Sequence, residues 1–308
     1  MWEELEEWAG DRGFRVAVGP GSLLREVKQE ISGRANRGEL DPWFKKTWLE
    51  SVLEDDDNLP AETVIAMAAP STATLVRFQL PDRVLTATIP PTYREDAGFD
   101  EAVRRELLNL FPGLNGDLRP AHAPKKALAA HLGLASYGLN NITYASGLGS
   151  YIRILAFVTS AAIETPRSGD EARVSTLPEC AACGKCRDNC PTGAITGDRF
   201  LLRAERCLTA YNELPEDWPD WLPRAAHECL VGCMRCQEVC PCNEGLLKHE
   251  DSGILFDREE TDAFLSGAVG RESTPIHSVE KKLAAIGMTG YSNVIGRNLS
   301  ALIGSSYP

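Results

Sequence analysis

The sequence predicts an α+β protein in three parts: an N-terminal α/β module, a compact cysteine-rich module and a helical tail. Three observations carry this. Strand-period and helix-period segments alternate over residues 1–165. All ten cysteines of the 308-residue chain fall between Cys180 and Cys242, inside a module spanning 176–246. Residues 247–308 hold no cysteine, and their clearest patterns are a helix from Val279 to Ile286 and a short helical end near Asn298. A polar linker, Glu164 to Ser175 with Pro166 and Gly169, separates the first two parts.

The first sixty residues read as mainly helical. Ser22 is placed to cap a helix through Leu23, Leu24, Val27 and Ile31 that ends near Gly33, and a second helix covers Phe44 to Leu53. The acidic run Glu54 to Asn58, closed by Pro60, reads as an exposed loop. Thr63 to Ala69 is an apolar strand. Thr74 to Leu80 and Val84 to Ile89 flank Pro81-Asp82-Arg83 as a hairpin, which Pro90-Pro91-Thr92-Tyr93 stops. Phe99 to Phe111 forms an amphipathic helix through Val103, Leu107, Leu110 and Phe111, ended by Pro112-Gly113. Lys125 to Leu132 is a further helix, stopped by Gly133.

Gly133, Gly138, Gly147 and Gly149 then punctuate a polar and aromatic stretch that includes Tyr137, Asn140, Asn141 and Ser150, ahead of a strand from Ile152 to Val158. Glycines let backbone approach a ligand closely, and asparagine amides both donate and accept, so the stretch is suited to line a cofactor. An ordinary loop-to-strand connection has the same composition.

The cysteines carry the most specific chemistry. Cys180, Cys183, Cys186 and Cys190 form one run, with Pro191 after the last. Cys233, Cys236 and Cys240 form a second, followed by Pro241. Two-residue gaps wrap three thiolates around one cubane, while a three-residue gap followed by proline sends the next thiolate to the other cluster, as in bacterial ferredoxins with two 4Fe-4S centres. Cys180, Cys183, Cys186 and Cys240 are thus expected at one cluster, and Cys190, Cys233 and Cys236 at the other. Cys207 is the expected eighth ligand, with Cys229 as the alternative, and Cys242 is spare. Zinc wants a closed tetrahedral set, which the three-residue gap and proline suit poorly. A disulfide framework would call for a secretory leader, and Met1-Trp2-Glu3-Glu4 is acidic where a leader is basic. Between the runs, Trp218, Trp221 and three prolines suggest an extended insertion that shields the second cluster.

With 44 acidic against 32 basic residues the net charge is −12, which gives no electrostatic help toward nucleic acid. Arg199, Arg203 and Arg206 recur near helical spacing and read as a solvated face. No nucleic-acid partner is expected. No apolar run reaches the roughly 18 to 20 residues of a membrane span, and a cytoplasmic location with no membrane partner is expected.

Cys-Gly-Lys-Cys at 183–186, Cys-Pro-Thr-Gly-Ala-Ile at 190–195 and Gly-Cys-Met-Arg-Cys-Gln-Glu-Val-Cys-Pro-Cys-Asn at 232–243 resemble the epoxyqueuosine reductases and their relatives, the corrinoid reductive dehalogenases. The runs Gly133 to Gly138 and Leu148 to Tyr151 are similar to that family's cobalamin-binding segment, so the resemblance covers about 120–245. It implies a cobalamin held over one of two 4Fe-4S clusters, with Tyr137, Asn140, Asn141, Ser150 and Thr209 as cofactor-binding residues, and the ligand sharing described above, Cys207 included. The first module is then an α/β cofactor and substrate domain and the second a ferredoxin-like two-cluster domain. Several positions depart from the family. The aspartate expected ahead of Ala123-Pro124 is missing, since Pro120-Ala121-His122 stands there. Gly138-Leu139-Asn140-Asn141 replaces Gly-Lys-His-Thr, Cys242 replaces a tryptophan, and the tail leaves no room for helical repeats used on tRNA.

These departures argue against tRNA as substrate. The expected function is an iron-sulfur oxidoreductase that takes electrons from a low-potential donor, a ferredoxin or flavodoxin, and relays them through two clusters to a cobalamin for reduction of a small molecule. His122, Tyr137 and Tyr211 are the candidate proton donors. A flavin in the N-terminal module is the cofactor alternative, and an electron carrier without its own substrate the functional one.

Overall fold

The computed structural model describes residues 1–54, 61–91, 93, 97–164, 176–269 and 277–305. The predicted acidic loop after Glu54, Thr92 of the predicted strand stop, and the linker beyond Glu164 up to Ser175 lie outside the described residues. In chain order the elements are α1 (Trp2–Asp11), β1 (Arg15–Pro20), α2 (Leu23–Asn36), α3 (Pro42–Phe44), α4 (Glu50–Glu54), β2 (Thr63–Pro70), β3 (Ala73–Gln79) and β4 (Val84–Ile89). There follow α5 (Ala97–Leu110), β5 (Arg119–Pro120), α6 (Lys125–His131), β6 (Ser136–Tyr137), β7 (Thr143–Tyr144) and β8 (Ile152–Thr159). The remainder comprises α7 (Lys185–Asp188), α8 (Leu208–Glu213), α9 (Arg235–Glu238), β9 (His249–Phe256), α10 (Arg258–Leu265), α11 (His277–Ala285) and α12 (Ser292–Ser305). They form two compact units of interleaved segments: 1–70, 97–184 and 197–205 in one, 71–96, 185–196 and 206–308 in the other.

The first unit is built on a sheet of order β1-β2-β8-β5, antiparallel throughout. Strand β2 is buried on both faces from Thr63 to Ala69, which is why it reads as a continuous apolar run rather than an alternation. Ile65, Met67 and Ala69 pack with Leu5, Trp8, Val103, Leu107 and Phe111 of the α1 and α5 side. Ala66 and Ala68 pack with Ala129 and Leu134, and Val64 with Leu23, Val27 and Leu128, on the α2 and α6 side.

The helix-rich reading of the first sixty residues overlooked β1. Gly13, at φ +70°, turns the chain out of α1, and Arg15 to Pro20 pair with β2. Helix α2 runs past Gly33 to Asn36, and Ser22 makes no side-chain cap; its hydroxyl instead donates to Glu26 Oε1 at 3.3 Å. The next helix starts earlier than predicted, because Asp41 Oδ1 caps the N–H groups of Trp43 and Phe44 at 2.9 and 3.1 Å. A π-helical turn, Lys45–Leu49, then interrupts it. The buried stripe of α5 is Val103 and Leu107, continued by Phe111 just past its end, and Leu110 is 52 % exposed.

The second unit holds a sheet of order β4-β3-β9. The predicted β3–β4 hairpin is closed by the N–H of Leu80 donating to Arg83 O at 2.8 Å. Strand β9 and helix α10 were not predicted. β9 lies parallel to β3 with a register shift, and its exposed polar start, His249-Glu250-Asp251, hides the strand pattern. Val76, Phe78, Ala87 and Ile89 of the hairpin form one core with Phe256, Phe264, Leu283, Val294, Ile295 and Leu299. The tail is therefore half of this unit's core rather than an appendage. Burying side chains of this size contributes about 1.5–3 kcal/mol each.

Candidate metal centre

Each cysteine run folds around a single helical turn. Cys186 lies on α7 and Cys236 on α9; the two turns pack on each other, and Asn189 Nδ2 donates to Arg235 O at 2.9 Å. None of the ten cysteines is in a disulfide. Cys183 is exposed, Cys229 is buried, and the others are half-buried.

Four thiols of the second unit are neighbours. Cys207 is the N-cap of α8. Burial pushes its thiol up, and so does the nearby Cys190 sulfur; the Thr209 amide and hydroxyl and the Ala210 amide oppose this. Burial also pushes Cys233 far up, followed by Glu228, Cys236 and Cys207. Cys190 is the contrasting case: burial raises it, but the Thr192 amide and hydroxyl and the amides of Ala194 and Ile195 outweigh burial and hold it below the ordinary thiol range. Thiolates that repel one another in a desolvated place are the donor set a cationic iron centre relieves. Cys190, Cys207, Cys233 and Cys236 thus fit one cluster. Among the described residues no three His, Cys, Asp or Glu converge on a single-ion site. A cubane is a larger body than one ion and takes its thiolates from further apart.

Cys229, the alternative eighth ligand, is 2 % exposed. Burial and then Glu228 and Glu238 push its thiol up, and no other cysteine sulfur figures among those causes. Its backbone bridges to Thr88. Cys242 is half-buried. Trp218 packs with Cys233 against Leu208, Leu222 and Ala226, and stacks on His227 with ring centroids 4.0 Å apart.

In the first unit, the polar glycine stretch reaches the first run directly. The N–H of Leu139 donates to Cys180 Sγ at 3.4 Å, and the N–H of Leu177 to Tyr137 O at 2.8 Å. The cofactor residues implied by resemblance are largely employed by the protein itself. Asn140 is 1 % exposed; its Oδ1 accepts from the N–H of Ile142 at 3.2 Å and its Nδ2 donates to Tyr144 Oη at 3.0 Å. Asn141, at φ +56°, donates to Phe200 O at 2.7 Å and accepts from the N–H of Leu202. Ser150 is buried. Thr209 serves the Cys207 sulfur in the second unit.

His122 is exposed. Tyr137 meets Phe200 edge-on at 5.3 Å, and burial, then Glu30, push its hydroxyl up against the opposing pull of Arg34, so it stays protonated. Tyr211 meets Trp221 edge-on at 5.4 Å. Sequence reasoning overlooked Thr192, and it named Thr209 for a cofactor without its bond to a cysteine sulfur, although a signal existed: Thr192 and Thr209 each stand two residues after a cysteine. It also overlooked Glu228, whose Oε1 lies 3.7 Å from Cys233 Sγ and accepts from the N–H of Met234 at 3.2 Å.

A family model for the 4Fe-4S double cluster binding domain matches residues 179–243, so the chain carries iron-sulfur clusters on this module. Epoxyqueuosine reductase of Lactococcus garvieae is 32 % identical over 123 residues, which is 40 % of this chain and 33 % of the relative. The Pseudomonas aeruginosa enzyme is 27 % identical over 199 residues, 61 % of this chain and 49 % of the relative. The matches thus span about a third to a half of those relatives' length. A crystal structure of a selenomethionine-labelled epoxyqueuosine reductase superposes with a TM-score of 0.66 at 19 % identity, covering 99 % of this chain and 81 % of the other. Another, with an epoxyqueuosine-modified tRNA-Tyr stem loop, gives 0.64 at 19 % over the same shares.

That last neighbour overturns two expectations, that no nucleic-acid partner is expected and that the departures argue against tRNA as substrate. The net charge of −12 sums the whole surface, whereas phosphate contacts depend on one face. The length of the tail does not decide what the shared fold binds. No described helix is long and apolar enough to cross a membrane.

Proposed function

We propose, from its membership of the epoxyqueuosine reductase family as a divergent member, that this chain is an iron-sulfur reductase that removes the epoxide oxygen of a modified nucleoside in tRNA. The observation that carries the reading is the fold match along 99 % of the chain to a reductase holding an epoxyqueuosine-modified tRNA stem loop. Opening an epoxide to an alkene and water consumes two electrons and two protons. A 4Fe-4S cubane passes electrons singly, so two clusters hold the pair.

In this reading Cys180, Cys183, Cys186 and Cys240 hold one cluster, and Cys190, Cys207, Cys233 and Cys236 the other. The amides and hydroxyls of Thr192 and Thr209 stabilise thiolates at Cys190 and Cys207. The electron donor is a low-potential ferredoxin or flavodoxin. A cobalamin is the further cofactor, on the resemblance of the 133–151 segment alone. When bound it supplies a strongly reducing, nucleophilic metal centre. Beside it Asn140 and Asn141 hold their own turn through Tyr144 and Phe200, and Thr209 holds the Cys207 sulfur.

The test uses the full chain reconstituted anaerobically with iron and sulfide, with and without hydroxocobalamin, then given a low-potential reductant and an epoxyqueuosine-bearing stem loop. The expected result is about eight irons per chain, cobalamin retained through gel filtration, and a nucleoside product lighter by one oxygen. Loaded clusters with no product under either condition leave the chain an electron carrier.

A further inference from the structure

We infer that Asn298, midway along α12, is a positioning residue of the second cluster. It locks the helix that follows Cys207 to the segment that leads into Cys233. The inference rests on the ligand set Cys190, Cys207, Cys233 and Cys236 given above.

Asn298 is fully buried on a helix whose other inward residues are Val294, Ile295, Leu299 and Leu302. An amide in such surroundings persists only where its hydrogen bonds are made, and a leucine of similar size would suit both the packing and the helix better. What leucine lacks is the amide, whose Oδ1 accepts from the neighbouring Arg297 guanidinium at 3.3 Å and whose Nδ2 supplies two donors. Asn298 Nδ2 donates to Asn212 O and to Leu230 O, each at 2.9 Å. Asn212 is the next-to-last residue of α8, the helix whose N-cap is Cys207. Leu230 stands three residues before Cys233.

A second amide closes the loop. Asn212, also fully buried, donates from Nδ2 to Gly232 O at 2.9 Å, immediately before Cys233. Arg297 adds bonds to the same end of α8, to Tyr211 O at 2.9 Å and Leu214 O at 2.8 Å. Neither Asn298 bond belongs to the backbone ladder of α12, so the helix does not need them to form. They act on two carbonyls from separate elements, each of which delivers one thiolate to the same cluster. Without the donors both carbonyls lose their partner in a dry core, and the Cys207–Cys233 separation is no longer fixed.

The experiment compares full-length chains reconstituted anaerobically: wild type, Asn298→Leu, Leu299→Ala as a control for general loss of packing, and Cys207→Ala as a benchmark for loss of the second cluster. Iron and sulfide are counted, and the reduced clusters are recorded by EPR. Wild type and Leu299→Ala are expected to hold about eight irons, and Cys207→Ala and Asn298→Leu about four, with the same single-cluster spectrum. Eight irons retained in Asn298→Leu, or loss of both clusters in proportion, overturns the positioning role. Eight irons in Cys207→Ala, or about four in wild type, overturns the ligand set instead. Should Asn298→Leu fail to fold, Asn212→Ala, which removes the bond to Gly232 O, decides by the same count.

Discussion

Leu139 and Cys180 are joined by a backbone N–H directed at a sulfur, 3.4 Å away, so the polar glycine stretch bonds to the first thiolate of the cysteine module. Such a donor draws charge off a cluster thiolate, favours the reduced state and raises the reduction potential. The N–H of Asn141 donates to Gly138 O at 2.9 Å, which makes Leu139 the second residue of a turn, a position that accepts proline. Leu139→Pro therefore keeps the turn and deletes the donor. In an EPR-monitored redox titration one of the two clusters is expected to shift to more negative potential, at an unchanged count of about eight irons. Unchanged potentials of both clusters would show that the contact does not reach the metal.

Cys207 and Cys229 compete on sequence for one ligand place, and their surroundings separate them. Cys207 neighbours the sulfurs of Cys190 and Cys233, whereas Cys229 is buried beside Glu228 and Glu238. Cys229→Ala is expected to keep both clusters and to cost about 1 kcal/mol, the price of a small buried group. Iron analysis with a denaturant midpoint checks both halves. Half the iron lost from Cys229→Ala would reverse the assignment.

The legible parts of the sequence were those with a local period or spacing. The hairpin β3–β4, the apolar β2 and β8 and the helices α5 and α6 announced themselves, and so did the paired cysteine runs. β1 was hidden between two helical patterns, and β9 begins with three exposed polar residues. Its place beside β3 is set by a parallel pairing across most of the chain, which no local pattern encodes. Composition singled out Asn140 and Asn141 but could not show that their amides also bond to Tyr144, Phe200 and Leu202. Charge misled in the same way, since a sum over 308 residues does not describe a face.

Gly232 ties backbone conformation to the tyrosine beside the second cluster. Its φ is +62°, and a Cβ there would lie 2.7 Å from the Tyr93 ring and hydroxyl. Tyr93 in turn donates to Glu213 Oε1 at 2.5 Å, at the end of α8. Gly232→Ala should cost at least about 2 kcal/mol, from left-handed backbone and overpacking together. Tyr93→Ala in the same background is expected to recover the overpacking part and not the backbone part, so a double-mutant cycle in denaturant should show a favourable coupling. Strict additivity would mean that the ring yields freely.

Glu260 gives the second unit an acid-sensitive support. It is buried in the capping box of α10, where its Oε2 accepts from the N–H of Asp257 at 2.9 Å and from Lys282 Nζ at 2.5 Å. Burial raises its pKa, but the bonds to Lys282, Ser278 and the Asp257 amide outweigh burial and hold it below the ordinary carboxylate value. With the folded value below the unfolded one, the unfolded chain binds the proton first on acidification. The contribution is therefore complete above the unfolded value of about 4.3 and is lost as pH falls through the lower, folded one. Glu260→Gln should be less stable than wild type near neutrality, and the gap should close as the pH drops below about 4. Denaturant midpoints of the two proteins across that range check it, because their difference cancels every titration they share. A gap independent of pH would mean that Lys282 is held by Leu255 O, which it also meets at 2.8 Å, and not by the carboxylate charge.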